Sequence, residues 1–437
     1  MSLVQVIEEQ PNFLLFENID GEVFFYELLM RSLQKHNPET KSLLDQLRNI
    51  NIPTIFDYDK GSVLKDIGIK VDALIISLTS RCNLRCDYCI YSGNYTGIRQ
   101  HSKSVSGDIT DSVFEKALDF FEQAKHENSR LTFYGGEPLI RFDLIKRARE
   151  RFPQTTMNLT SNLLLGERYV TFLVENNILL SISLDGPREI HDAHRHTKNY
   201  QGSFEKVMKA IEILRQDPDY FQQIPFLVTL SEPHKIKEIR EFFEREFPHN
   251  PVIISLIEPK NILRYPETYN RENMQVYSQY FLEMAREFID AKKQGKPISA
   301  FLNSFFNPLI YSLSNRELSP FPNSGKLPLQ GICRATIEKL FLDSTGTFYL
   351  CEKMDGHSSV GNIFTGIDKE KVLNLYEAYK NFRNTYCTEC WARRECSLCF
   401  LVTQDGELTN PENISLTCNM ERESILRGLS LISSIYG

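Results

Sequence analysis

Between about residues 71 and 256, short apolar runs alternate with longer amphipathic stretches, and this pattern restricts the fold more than any other feature of the chain. The runs are Ala73–Thr79, Leu131–Tyr134, Thr156–Thr160, Leu179–Leu184, Pro225–Leu230 and Val252–Ile257. Between them the apolar residues recur at three- and four-residue steps. In Ile109–Lys125 they are Val113, Ala117, Phe120, Phe121 and Ala124, the spacing of a helix with one buried face. Further helices are expected over about Leu139–Arg151, Arg168–Asn176, Ser203–Arg215, Ile236–Phe247 and Met274–Lys292. Strand followed by helix, repeated six times, predicts an α/β fold with a parallel sheet and helices outside. Six units are too few to close an eight-fold barrel. The expected architecture is therefore a partial (β/α)6, TIM-like barrel, whose chemistry belongs at the carboxyl ends of its strands.

Directly after the first expected strand stands Cys82-Asn-Leu-Arg-Cys86-Asp-Tyr-Cys89, a C-x3-C-x2-C spacing. Three thiolates on one loop suit three irons of a cubic iron–sulfur cluster. Such clusters ordinarily take four cysteines, so one iron would remain open to a small molecule. At the end of the second strand comes Thr132-Phe-Tyr-Gly-Gly-Glu-Pro138. Its two glycines permit close approach to the backbone, and Glu137 can accept hydrogen bonds from an ammonium group.

Composition narrows the function classes. The net charge is −7, from 50 Lys+Arg against 57 Asp+Glu, which argues against a general nucleic-acid surface. No run of about 18 apolar residues exists to span a membrane, and the first residues lack the pattern of a secretory signal. A cytoplasmic location follows as the expectation, and there thiols stay reduced. The ten cysteines fall into two groups, with none between Cys89 and Cys333. That clustering points to metal ligation rather than to disulfides.

The combination of Cys82, Cys86 and Cys89 with Gly135-Gly136-Glu137-Pro138 resembles the radical S-adenosylmethionine enzymes. The resemblance implies that the open iron is chelated by the amino and carboxylate groups of S-adenosylmethionine. A reductive cleavage then yields a 5′-deoxyadenosyl radical that abstracts hydrogen from a substrate. It also implies that Tyr88 packs near the adenine and that Gly135, Gly136, Glu137 and Pro138 receive the methionine amino group. Ser161 and Asn162, with Ser183, Asp185 and Arg195, look like ribose and carboxylate contacts; a satisfied turn is the simpler account of Ser183 and Asp185. Around Ser183–Phe204 the sequence is similar to the sulfatase-maturase and peptide-maturase branch. His191, His194 and His196 are read as a polar cluster at a helix start, not as a metal site, because no further ligand pattern completes a set.

The C-terminal cysteines are Cys333, Cys351, Cys387, Cys390, Cys396, Cys399 and Cys418. Two C-x2-C pairs also fit a zinc ribbon, but seven cysteines leave three surplus. The layout resembles the SPASM extension of peptide-modifying radical enzymes, which carries auxiliary clusters. It departs from that pattern in the two-residue gap between Cys396 and Cys399, where three are usual. The resemblance implies two ligand sets: Cys387, Cys390, Cys396 and Cys418 for one cluster, and Cys333, Cys351 and Cys399 for the other. Sulfatase maturases supply a further cysteine before the first of the seven, and this chain has none. The second set thus either keeps an open iron for a substrate thiol or takes an oxygen, nitrogen or solvent ligand. Glu352 occupies the place of an aspartate proposed as a base in sulfatase maturases; it is equally readable as an outer carboxylate. Trp391 is read as shielding a cluster.

The expected domains are residues 1–70, either a cap or a leader-peptide-binding module built on a hairpin at Ile19-Asp-Gly21; 71–300, the partial barrel; 301–330, a bridge; and 331–437, the auxiliary-cluster domain. The expected cofactors are S-adenosylmethionine and three 4Fe–4S clusters, one binding S-adenosylmethionine and two auxiliary. The expected partners are a short cysteine-containing precursor peptide and an electron donor of the reductase or flavodoxin/ferredoxin kind, with no nucleic acid and no membrane. The expected product is a cysteine thioether cross-link. The alternatives are formylglycine formation and, from another class, a non-enzymatic zinc or electron-transfer protein.

Overall fold

The computed structural model describes residues 4–28, 31–49, 54–68, 70–89, 107–257, 267–314, 326–354, 358–403 and 411–437. Four antiparallel strands come first: β1 (Gln5–Gln10), β2 (Phe13–Glu17), β3 (Val23–Glu27) and β4 (Ser32–Lys35). The expected hairpin is the β2–β3 pair, turned at Gly21 with φ +78°. Asn18 Oδ1 closes that turn by accepting from the amides of Asp20 and Glu22 at 3.0 and 2.9 Å.

The six expected parallel strands are present: β5 (Ala73–Thr79), β6 (Arg130–Gly135), β7 (Thr156–Ser161), β8 (Leu179–Ser183), β9 (Phe226–Leu230) and β10 (Val252–Leu256). They pair in sequence order, all parallel. Every residue of β5 is buried, as expected for a parallel strand covered on both faces. The helices between them are α1 (Asp111–Ala124), α2 (Phe142–Arg151), α3 (Gly166–Glu175), α4 (Arg188–His194), α5 (Phe204–Leu214) and α6 (Ile236–Glu246). In α1, Val113, Phe114, Ala117, Leu118, Phe121 and Ala124 face the sheet, and the Thr110 hydroxyl caps the first turn from the Val113 amide at 3.3 Å. That side-chain acceptor satisfies one of the helix's orphan donors.

Two long helices follow, α7 (Arg271–Gln294) and α8 (Ala300–Ser314). The second was not anticipated, since the bridge 301–330 reads as a connector and α8 carries Pro308 inside it. It covers the outer edge of β10, where the Val252 amide donates to Ser304 Oγ at 3.1 Å. The connector expected at Leu318–Lys326 lies, except for Lys326, outside the described residues.

The C-terminal segment does not stand apart. Its strand β11 (Leu340–Leu342) lies parallel to β5 and continues the barrel sheet through β12 (Thr347–Tyr349), β13 (Gly361–Asn362) and β14 (Gly366–Ile367), giving ten strands in one sheet. Helix α9 (Lys369–Tyr386) leads to the cysteine run, and α10 (Pro411–Tyr436) ends the chain. The N-terminal sheet is covered on both faces. Phe13, Leu15 and Phe25 pack on Leu44 and Leu47 of the short helix Lys41–Leu47. Leu14, Phe16, Phe24 and Tyr26, on the other face, pack on Trp391, Ala392, Ile425, Leu426 and Leu429. The two-residue alternation of a strand produces these two faces. The sheet is therefore a cap on the C-terminal cysteine segment rather than on the barrel. No helix among the described residues is long and apolar enough to cross a membrane.

Candidate functional site

The loop carrying Cys82, Cys86 and Cys89 leaves β5 at the carboxyl end of the sheet and lies against the Gly135-Gly136 turn at the end of β6. The amides of Gly136 and Glu137 donate to the carbonyls of Thr79 and Arg81 at 2.8 and 2.9 Å. A Cβ on Gly135 would stand 2.3 Å from Thr79 O, and one on Gly136 would stand 2.2 Å from Arg81 O. Gly135 also has φ +138°, a conformation that only glycine adopts freely. The glycines thus make room for the cysteine loop, in addition to any ligand. From the other side the segment His194–His196 holds the loop, since its carbonyls accept from Asp87 N at 3.2 Å and Arg85 N at 2.7 Å. His196 Nε2 reaches Asp87 Oδ1 at 3.0 Å.

This framing leaves a cavity of about 340 Å³. All three cysteines of the loop line it, with Tyr88, Gly135, Gly136, Glu137, Ser161, Asn162, Ser183 and Arg195. Burial pushes the Cys82 and Cys86 thiols up to about 12, so iron must displace their protons on binding. The Leu84 amide and Asn162 Nδ2 point at Cys82 Sγ from 3.4 and 3.5 Å, donors that suit a thiolate. The residues present therefore fit a cluster that would be held by three thiolates at the wall of the cavity.

Glu137 is 1% exposed. Its Oε1 accepts from Leu139 N at 3.0 Å and Ser161 Oγ at 2.8 Å, and its Oε2 from Asn162 N at 2.9 Å. These bonds tie the end of β6 to the end of β7. A carboxylate has about four acceptor sites, so Oε2 retains room for one more donor. Burial, only partly offset by the three donors, raises Glu137 to about 7. Pro138 starts the short helical turn that follows and is buried.

Asp185 lies beneath the cavity rather than on its wall. It is fully buried; Oδ2 accepts from the Tyr88 hydroxyl and from Arg195 Nε at 2.9 Å, and Oδ1 from Thr229 N at 2.9 Å. Burial opposes its ionisation, but Arg195 outweighs burial and its pKa is lowered. The Arg195 guanidinium also sits 5.4 Å from the centroid of the Tyr88 ring. Asp185 thereby fixes two side chains that do line the cavity. His191 is fully buried, bonded to Ser203 Oγ at 2.9 Å through Nε2 and accepting from Asp185 N at 3.3 Å; burial lowers it to about 4. It does not line the cavity and serves to hold Ser203 and the Asp185 turn.

The other seven thiols separate by position. Burial raises Cys387 to about 11, and Cys390 and Cys418 add to it. Burial likewise raises Cys396 to about 12 with a contribution from Cys387, and raises Cys418 with one from Cys390. Burial raises Cys333, and Cys351 to about 11; in both, the neighbouring thiol that acts is Cys399. The thiols that act on one another are thus Cys387, Cys390, Cys396 and Cys418 in one group and Cys333, Cys351 and Cys399 in another. Among the described residues, no three His, Cys, Asp or Glu side chains converge on a single metal ion; thiolates of a cubane sit on different irons. Trp391 is 2% exposed and wedged between the Cys390 turn and the N-terminal sheet.

The turn after Cys351 carries Lys353 into the wall of the cavity. Sequence reasoning missed Lys353, as it missed Thr229, Ser255, Leu256 and Ile257, which also line it. The strand-end rule pointed to the last four; nothing in the sequence pointed to Lys353. Glu352 does not line the cavity and pairs with Lys339 Nζ at 3.3 Å.

The family model of the Radical SAM superfamily matches residues 76–218. A cysteine-type anaerobic sulfatase-maturating enzyme of Clostridium novyi (strain NT) is 27% identical over 294 residues, which is 64% of this chain and 72% of that protein. The radical SAM cyclopropyl synthase TigE of Paramaledivibacter caminithermalis is 21% identical over 347 residues, 76% of this chain and 68% of that protein. Among solved structures, native anSMEcpe with bound AdoMet and Cp18Cys peptide superposes with a TM-score of 0.55 at 20% identity, covering 83% of this chain and 98% of that one. Its fold is shared. The matched segment opens inside β5 and contains the three-cysteine loop, Glu137 and Arg195, so this chain carries a radical SAM domain, whose family implies S-adenosylmethionine and a 4Fe–4S cluster.

Proposed function

We propose that this chain modifies a cysteine-containing peptide by radical chemistry and that the product is a thioether between a cysteine sulfur and a carbon of another residue. One observation carries the reading. The Cys351–Lys353 turn joins the wall of the radical SAM cavity to the three-cysteine set Cys333, Cys351 and Cys399. A substrate sulfur held at that set stands next to the cavity where hydrogen is abstracted. When bound, S-adenosylmethionine and its cluster supply the 5′-deoxyadenosyl radical. Glu137 offers Oε2 to the methionine amino group, Tyr88 packs near the adenine, and Ser161, Asn162, Ser183 and Arg195 line the place of the ribose and carboxylate. Glu352, tied to Lys339, is the carboxylate nearest in sequence to the three-cysteine set and takes the substrate proton. The four-cysteine set closes a second auxiliary cluster, which makes three in all. An electron donor of the flavodoxin or ferredoxin kind drives the cleavage. The mostly exposed strand β1 offers its edge to a leader segment of the precursor.

A second reading is favoured by the sulfatase-maturating relative: oxidation of a Cys or Ser to formylglycine. The missing eighth cysteine and Glu352 in place of aspartate favour the first. Coexpression with a short cysteine-rich peptide encoded beside the gene, followed by mass spectrometry, separates them. Loss of two hydrogens per cross-link together with loss of one alkylatable thiol supports the thioether. Conversion of a cysteine to an aldehyde supports formylglycine. Peptides that return unmodified from an iron-loaded enzyme that cleaves S-adenosylmethionine overturn both.

A further inference from the structure

Two arginines in the C-terminal segment are buried without the partners that buried charges require. Arg383 and Arg393 are both 0% exposed. Arg383 donates to the Tyr379 hydroxyl at 3.2 Å and to the carbonyl of Arg393, and lies 4.3 Å from the centroid of Phe56. Arg393 donates to the carbonyls of Cys390, at 3.1 Å, and Pro11. Nε of Arg383 and both Nε and Nη2 of Arg393 are buried with no acceptor. Neither guanidinium forms a carboxylate ion pair among the described residues. Burial of an unpaired charge is strongly unfavourable, so a negative group belongs beside them.

Both arginines sit among one cysteine set. The Cys387 amide caps α9 by donating to Arg383 O at 2.9 Å, and Arg393 lies between Cys390 and Cys396 in the chain. Around Arg383 stand the Tyr379 hydroxyl and the cysteines Cys387 and Cys396; around Arg393 stand Cys390 and Glu389. The other set is different. Its cation, Lys339, is already paired with Glu352 at 3.3 Å, and the neighbouring Arg334 is paired with Glu338 at 3.3 Å. The cations Lys339 and Arg334 thus have carboxylate partners, whereas Arg383 and Arg393 have none among the described residues.

We propose that Arg383 and Arg393 are the built-in counter-charges of an iron–sulfur cluster on Cys387, Cys390, Cys396 and Cys418, and that they make it the more easily reduced of the two auxiliary sites, the final acceptor of the electron released by substrate oxidation. This rests on the reading of the seven cysteines as two cluster sites. Cluster potentials follow net charge and the donors around the sulfurs. Each added electron makes a cluster more negative, and two fixed cations in a low-dielectric interior favour that state. The electron has a defined origin in thioether formation. The 5′-deoxyadenosyl radical takes a hydrogen atom from a substrate carbon, forming a C–H bond. The carbon radical then bonds to the substrate sulfur, whose S–H bond breaks, releasing one proton and one electron. The electron leaves through the set beside the cavity and is held at the arginine-flanked set farther out.

The test uses the full chain, reconstituted anaerobically. Iron and sulfide analysis comes first: about 12 irons per chain, three clusters of four, upholds the cluster reading, and fewer removes it independently of the charges. EPR-monitored redox titration then compares Cys399→Ala, which keeps the arginine-flanked cluster, with Cys396→Ala, which keeps the other. The expected result is a higher midpoint in Cys399→Ala. In the Cys399→Ala background, Arg383→Met lowers that midpoint and Arg383→Lys restores part of it; Arg393→Met serves where Arg383→Met fails to hold iron. A midpoint at or below that of the other cluster overturns the proposal. So does an iron-replete Arg383→Met or Arg393→Met protein whose midpoint does not move.

Discussion

Glu137→Gln is close in shape and removes the charge, at the cost of one accepted hydrogen bond, because the amide NH2 cannot accept from Asn162 N. The wild-type carboxyl sits at about 7 instead of 4.5 because burial disfavours the anion. A raised carboxyl pKa means that the folded chain holds its proton where the unfolded chain has lost it. The stability it contributes is full below about pH 4.5 and is lost as pH rises through about 7, a difference of about 3 kcal/mol. An N–H donor from the iron-chelating amino group, placed at Oε2, reverses the preference, because hydrogen bonding to the charged form favours the anion. Binding of S-adenosylmethionine at this position must then expel the proton. With a pKa of about 7, about one tenth of Glu137 is ionised at pH 6 and about nine tenths at pH 8. The affinity should therefore rise about tenfold over that span, or about 1.4 kcal/mol. Calorimetry on the cluster-loaded protein, in two buffers of different ionisation enthalpy, reads both the affinity and the proton release, expected at about half a proton per site near pH 7. Glu137→Gln should bind more weakly and lose the part of the pH slope that exceeds titration of the ligand itself. Equal slopes and equal proton release in wild type and Glu137→Gln would refute the reasoning.

Gly136→Ala puts a methyl group 2.2 Å from the carbonyl of Arg81, which is backbone and cannot swing away. The cysteine loop must shift, and iron held at Cys82, Cys86 and Cys89 should be lost, which on the proposed three-cluster reading is a drop of about one third in bound iron with unchanged circular dichroism. Asp185→Asn leaves Arg195 buried opposite a neutral amide, which costs about 3–5 kcal/mol for a buried pair broken on one side and should lower the melting temperature. Because Asp185 is held below the usual carboxylate range by Arg195 against the opposing effect of burial, the gap between wild type and variant should persist at neutral pH and shrink only as pH falls through that lowered pKa. An unchanged melting temperature would show that the Tyr88–Asp185–Arg195 cluster carries no stability.

The barrel was legible because its signals are local. Each strand–helix unit carries its own apolar period, and β5 to β10 appear where the apolar runs stand. The cysteine loop and the Gly135-Gly136 turn were legible because few chemistries require those residue types at those spacings. What the sequence hid depends on long-range packing. Nothing in Leu340–Leu342 announces that it will pair with β5, and that pairing is what carries Lys353 to the cavity. Asp185 reads as a strand-end polar group, yet its neighbours Tyr88 and Thr229 come from distant parts of the chain and turn it inward. Phe13–Glu17 and Val23–Glu27 read as continuous apolar runs, which announce strands buried on both faces but not the partner of either face.

The C-terminal segment is held from two sides, and the two holds are different. The set Cys333, Cys351 and Cys399 is tied to the barrel, since β11 and β12 flank the path from Cys333 to Cys351 and β11 is an added strand of the barrel sheet. The set Cys387, Cys390, Cys396 and Cys418 is tied to the N-terminal sheet. Every residue from Trp391 to Glu395 takes part: Trp391 and Ala392 fill its inner face, Arg393 donates to Pro11 O, and Arg394 donates to Leu28 O at 2.8 Å. Glu395, 2% exposed, accepts from Arg31 Nη2 and from the Tyr26 hydroxyl, each at 2.7 Å. A buried carboxylate bonded in this way is costly to expose, so the loop between Cys390 and Cys396 keeps its shape only while the sheet is docked. The first 49 residues are thus part of the scaffold of the four-cysteine site.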